Sequence, residues 1–155
     1  MNGIDKEQVV GVMNQLLESE LAGVVRYTHY SFLVFGFGRI PIVSWLRAQA
    51  DESLLHAQQV GEWITTLGWY PSLEIGPLLD SHQYDIGAIL RESLATEQHT
   101  LVLYRELLAL VEHRSVALEE FARQMIHAEE LHAAEVEKML RKPGELIASP
   151  PPVRT

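Results

Sequence analysis

The sequence contains no cysteine. That absence excludes disulfides, zinc–thiolate sites, iron–sulfur clusters and thiol nucleophiles, and it fits a reducing, cytoplasmic setting. Long apolar runs are also missing. None approaches the roughly 18 residues needed to span a bilayer, and the most apolar patch, Val34-Phe35-Gly36-Phe37-Gly38, is far shorter. Met1 to Asp5 lead straight into a mixed polar and apolar stretch, without the blocks of a secretory signal. No membrane partner is expected. Basic residues are in the minority: 12 Lys and Arg stand against 21 Asp and Glu, for a net charge of −9. With no basic stripe, nucleic acid is not an expected partner.

What is present suits one all-α domain. The 155 residues are 47% apolar and 21% charged, enough for a single sizeable core. Apolar positions recur at the helical period in four stretches. The first runs from about Asp5 to Phe35, carried by Val9, Val10, Met13, Leu16, Leu17, Leu21 and Val24, and ends at Gly36 and Gly38. The second starts near Ile40 with Pro41 in its first turn, and stops at Leu67-Gly68. The third spans about Asp85 to Glu112. The fourth follows the turn His113-Arg114-Ser115, with Ser115 as N-cap, and runs to about Lys142. Between the second and third lies a connection from Trp69 to about Tyr84, broken by Pro71, Gly76 and Pro77. Roughly fifteen residues can cross the full length of a bundle, about 40 Å. Two helical hairpins joined by one long crossover form a four-helix bundle of the ferritin-like layout. Residues 1–142 make up this bundle, and 143–155 form a proline-rich tail expected to have little fixed structure.

Charged residues interrupt the apolar stripes at particular places. Glu20 sits between Leu16/Leu17 and Val24, and Glu97 between Leu94 and Leu101. Glu52 and His56 are four apart and share a face of the second helix. Glu129 and His132 are three apart on the fourth, flanked by Met125, Val136 and Met139. Each helix thus brings one carboxylate, and two helices add a histidine. Buried carboxylates are costly unless paired or metal-bound, and four in one core would repel strongly. Two cations relieve that repulsion, and carboxylate with imidazole suits iron or manganese. Other charged positions read as surface: Glu18, Glu119, Glu120, Glu130 and Glu135, with His29, His82, His99, His113 and His127 outside the ligand set. Phe35, Phe37, Trp45, Trp63 and Trp69 read as core or subunit-interface packing.

Over about Gln8 to Leu140 the chain resembles the bacterioferritins of the ferritin-like superfamily. The segments that carry the resemblance are Leu16-Leu17-Glu18-Ser19-Glu20-Leu21, Asp51-Glu52-Ser53-Leu54-Leu55-His56-Ala57, Leu94-Ala95-Thr96-Glu97 and Ala128-Glu129-Glu130-Leu131-His132. The resemblance implies that Glu20 and Glu97 are terminal or bridging ligands, that Glu129 and His132 form a Glu-x-x-His pair, and that Tyr27 stands near the metals. It implies oxidation of Fe(II) by oxygen or peroxide at a di-iron site, followed by storage or release of Fe(III). It also implies a homo-oligomer, at least a dimer, in which the first two helices pair between subunits.

The sequence departs from the family pattern in three places. On the second helix Ser53 occupies the glutamate position, and Glu52 comes one residue early, giving Glu-x-x-x-His; a π-bulge would restore its aim. Ser53 and Leu54 stand where the haem methionine would be, so no haem is expected. Pro143-Gly144 and the prolines replace the fifth helix that helps to close a storage shell. If no shell forms, detoxification or a non-storage di-iron oxidoreductase replaces storage. A rubrerythrin-like peroxidase would usually need a cysteine-bound iron that this chain cannot build. The alternative from another class is a structural or partner-binding subunit that kept the fold and lost the chemistry.

Overall fold

The computed structural model describes residues 3–79 and 81–146. The tail proposed for 143–155 lies mostly outside these, apart from residues 143–146. Four helices follow in order: α1 Lys6–Leu33, α2 Arg39–Thr66, α3 Ile86–Val111 and α4 Val116–Leu140. The expected helices are all there, most of their ends trimmed, while α2 begins one residue earlier than expected, at Arg39. The trimming has a local cause, because Asp5, Asp85 and Ser115 act as caps outside the helices. Their side chains accept from the backbone N–H of Gln8, Ala88 and Leu118 at 3.1, 3.0 and 3.3 Å. Gly68, at φ 94°, closes α2 in a left-handed conformation. No helix among the described residues is long and apolar enough to cross a membrane.

The short turns fold α1 on α2 and α3 on α4, and the two hairpins meet along α1 and α3. No Cα of α2 lies within 8 Å of one in α4, so that side of the bundle is closed by side chains alone. The core comes in two parts. A larger cluster is built from Val9, Met13 and Leu16 with Val60, Ile64, Tyr104, Leu107 and Leu118. A smaller one holds Tyr27, Tyr30, Val34, Leu46 and Ile89. Glu20, Ser53, His56, Ser93, Glu97 and Glu129, all buried, supply the polar groups between these two apolar parts. Phe35, Phe37 and Trp69, read as packing residues, are exposed in the single chain, whereas Trp45 and Trp63 are half-buried.

The crossover is docked on α1. Gly76 N–H donates to the carbonyl of Glu18 at 2.8 Å, and Ser72 N–H donates to Asn14 Oδ1 at 2.8 Å. A Cβ on Gly76 would stand 2.9 Å from that same Glu18 carbonyl oxygen. Neither backbone can retreat without breaking the hydrogen bond. Gly76→Ala is therefore expected to destabilise the protein by about 1–3 kcal/mol, the usual range for overpacking. Urea denaturation would show it as a lower midpoint; an unchanged midpoint would mean that this contact is dispensable.

Candidate metal centre

Three of the expected residues converge at one point. His56 Nδ1 lies 3.5 Å from Glu20 Oε1 and 3.4 Å from Glu129 Oε1. One ligand atom from each of Glu20, His56 and Glu129 falls within 4.8 Å of the others, and all three residues are buried. Glu97 and His132 gather around a second point, the Tyr27 hydroxyl. Tyr27 donates to Glu97 Oε1 at 2.8 Å and lies 3.1 Å from His132 Nε2. The Glu129 carboxyl faces Glu97 closely enough to raise its pKa, and so stands between the two groups.

Glu52 is not brought into this cluster. Its side chain is 45% exposed and lies 3.6 Å from His56 Nε2, on the opposite edge of the imidazole from Glu20 and Glu129. α2 is α-helical throughout, so no π-bulge turns Glu52 inward. Ser53 is the buried residue at this level. It faces Gly23 of α1, whose missing Cβ would otherwise stand 3.0 Å from Ser53 Oγ.

The electrostatics show a site short of positive charge. Burial, then the facing Glu129 carboxyl, pushes Glu97 up to about 8. Burial likewise raises Glu20, against the opposing pull of His56. Burial works against a charge on His56, but its bonds to Glu129 and Glu20 outweigh it and hold the imidazole at about 10. The metal-free core thus keeps protons it would normally lose. Glu129 Oε2 is buried and has no hydrogen-bond partner among the described residues. An orphaned carboxylate oxygen beside two further carboxylates and two imidazoles is the donor set that an iron- or manganese-type cation fits.

A ferritin-like domain model matches residues 11–144. The chain belongs to the ferritin-like domain family. No curated protein matches it, but several solved structures share its fold. One is a dodecameric thioferritin, a bacterioferritin-related protein of Bacteroides fragilis, with TM-score 0.80 and 18% identity over 88% of this chain and 86% of that one. Another is a ferritin-like diiron-carboxylate protein of Bacillus anthracis, with TM-score 0.79 and 24% identity over 91% and 100%. A third is the bacterioferritin of Rhodobacter capsulatus, with TM-score 0.74 and 23% identity over 86% and 84%.

This ferritin-like site also has supporting residues that the sequence reading missed. Tyr104 donates to Glu20 Oε1 at 3.0 Å, and Ser93 Oγ donates to the Tyr27 hydroxyl at 2.9 Å. Helical spacing held a signal for both, since Ser93 and Tyr104 are four before and seven after Glu97. Trp45 stacks on His132, with centroids 5.7 Å apart and planes 8° off parallel. Nothing in the local pattern distinguished it from an ordinary packing residue. A cavity of about 430 Å³ lies away from this layer, between α1, α3 and the crossover.

Proposed function

We propose that the chain binds a pair of iron ions in its core and oxidises Fe(II) with dioxygen or hydrogen peroxide. The observation that carries this is the buried, unpartnered Glu129 Oε2, set between the Glu20–His56 pair and the Glu97–His132 pair. Glu20, His56 and Glu129 would hold one ion, and Glu97, His132 and Glu129 the other. Fe(II) is the substrate, giving up an electron and leaving as Fe(III). Manganese suits the same donors, and the choice between the metals is open to the titration below.

The chain's own groups have distinct tasks in this reading. Tyr27 spends its proton on Glu97, so its lone pairs take Ser93 and the Nε2–H of His132. That tautomer leaves His132 Nδ1 as the free ligand atom. Glu52 plays the matching part for His56: its carboxylate faces Nε2 at 3.6 Å, which favours the proton there and leaves Nδ1 toward Glu20 and Glu129. Glu52 is then a positioning residue behind the ligand, of the kind that orients metal-binding histidines. Ser53 and Leu54 stand where the haem methionine would be, and neither is a methionine, so the reading is of a haem-free chain. The exposed Phe32, Phe35, Phe37 and Ile40 at the α1–α2 turn support assembly into a homo-oligomer, as does the fold shared with a dodecameric relative.

The replacement of the expected glutamate by Ser53 favours a second reading, a ferritin-like subunit without redox activity. Anaerobic Fe(II) titration of metal-free protein, followed by oxygen or peroxide, separates the two. Uptake of about two irons per chain with fast oxidation is the expected result. Uptake of one or none, with oxidation no faster than in buffer, would favour the inactive subunit. In the same assay Glu52→Gln is expected to weaken metal affinity by about 10- to 100-fold, as loss of an orienting carboxylate does. Abolition of binding would instead make Glu52 a ligand.

A further inference from the structure

Outside the core, two histidines from different elements meet. His29 of α1 and His82 of the crossover place Nε2 and Nδ1 3.1 Å apart, with ring centroids 5.2 Å apart and planes tilted by 55°. Two imidazole nitrogens bound at ~2.05 Å to one tetrahedral cation stand about 3.3 Å apart, so the observed gap is within a few tenths of an ångström of a shared ion. Both histidines line a cavity of about 160 Å³ whose wall also carries Glu92. Glu92 is itself held by Tyr30 and Ser81. No third Asp, Glu or His joins the pair in a ligand cluster among the described residues.

We propose that His29 and His82 bind a divalent cation of the imidazole-seeking kind, such as Zn²⁺, with water completing its shell. The ion clasps the crossover to α1 just before α3 begins. A single hydrogen bond between two solvent-accessible imidazoles adds little, because water competes for both partners. A shared cation turns the same contact into a tether. It also sits in a chain whose net charge of −9 draws cations to the surface. Among the described residues, the crossover is also tied by the Ser72, Gly76 and Ser81 hydrogen bonds and by a long one from Arg26 to the Pro77 carbonyl. The clasp closes this last stretch and covers the cavity beneath it.

Calorimetric titration of the full, metal-free chain with Zn²⁺ tests the site. Wild type is expected to take up one more ion per chain than either His29→Gln or His82→Gln. Glu129→Ala should keep that ion while losing core binding, so the clasp and the di-iron reading fail separately. Equal uptake by wild type and both histidine variants would reduce the pair to a hydrogen bond and overturn the proposal. A second readout is cleavage by chymotrypsin at the exposed Tyr70 and Tyr84. At Zn²⁺ near a hundred times its dissociation constant, linkage lowers the opened population about 100-fold in wild type. Equal protection in His82→Gln would overturn the clasp even if zinc binds.

Discussion

Glu129→Ala is expected to reduce Fe(II) oxidation by more than about 100-fold, beyond the loss typical of an orienting neighbour. Glu129 faces both halves of the site: it meets His56 at 3.4 Å, and its carboxyl acts on Glu97. Removing it should empty both metal positions at once, whereas the loss of Glu20 or His132 should affect one. Glu129→Gln keeps the shape but offers a poorer ligand, so it separates lost coordination from lost packing. Stopped-flow oxidation and iron stoichiometry, with helical circular dichroism as a folding control, would read the result. An active Glu129→Gln variant with full iron uptake would remove the residue from the centre of the mechanism.

The metal-free protein should lose stability as the pH rises from about 5 to 9. The sign follows from two groups whose folded values are raised. Glu97 moves from 4.5 to about 8, so its proton is bound more tightly in the folded state. The stability it contributes is complete below 4.5 and lost as pH climbs through 8. His56 moves from 6.5 to about 10; its contribution is complete below 6.5 and lost through 10. Both act in the same direction, and because they share Glu129 as a partner their effects overlap rather than add. A loss of several kcal/mol would lower the melting temperature of chelator-treated protein by roughly 10 °C or more between pH 5 and 9. A flat or rising melting temperature over that range would contradict the charge arrangement. With metal present the trend should reverse, because ligation requires those protons to leave.

The fold was readable because its signals are periodic and its breaks are covalent. Four apolar stripes, Gly68 and the prolines of the crossover define the helices without any knowledge of packing. Glu20, Glu97 and Glu129 were legible for a related reason: a carboxylate on an apolar stripe calls for an explanation. Glu52 shows where this stops. Sharing a helix face with His56 placed it near the site, but a residue one step from the buried Ser53 is turned by about 100°. That rotation carries Glu52 toward solvent and to the other imidazole nitrogen. Whether a carboxylate ligates or orients depends on such a rotation, which a four-residue spacing leaves undetermined. Trp45 and the His29–His82 pair were invisible for a different reason. Their partners come from distant elements, and only the tertiary fold brings them together.

The side of the bundle where α2 and α4 keep their backbones apart has a consequence for how the chain resists unfolding. Nothing covalent joins those helices, and a cysteine-free sequence has no means of doing so. An ion shared by His56 and Glu129 would act there as a reversible cross-link, closing a loop of 129 − 56 = 73 residues. In the chain-entropy account of cross-links a loop of that size is worth roughly 4 kcal/mol, comparable to a disulfide. Unlike a disulfide, it would be present only while iron is available. The resistance of this protein to heat and proteolysis would then rise and fall with the metal supply of its surroundings.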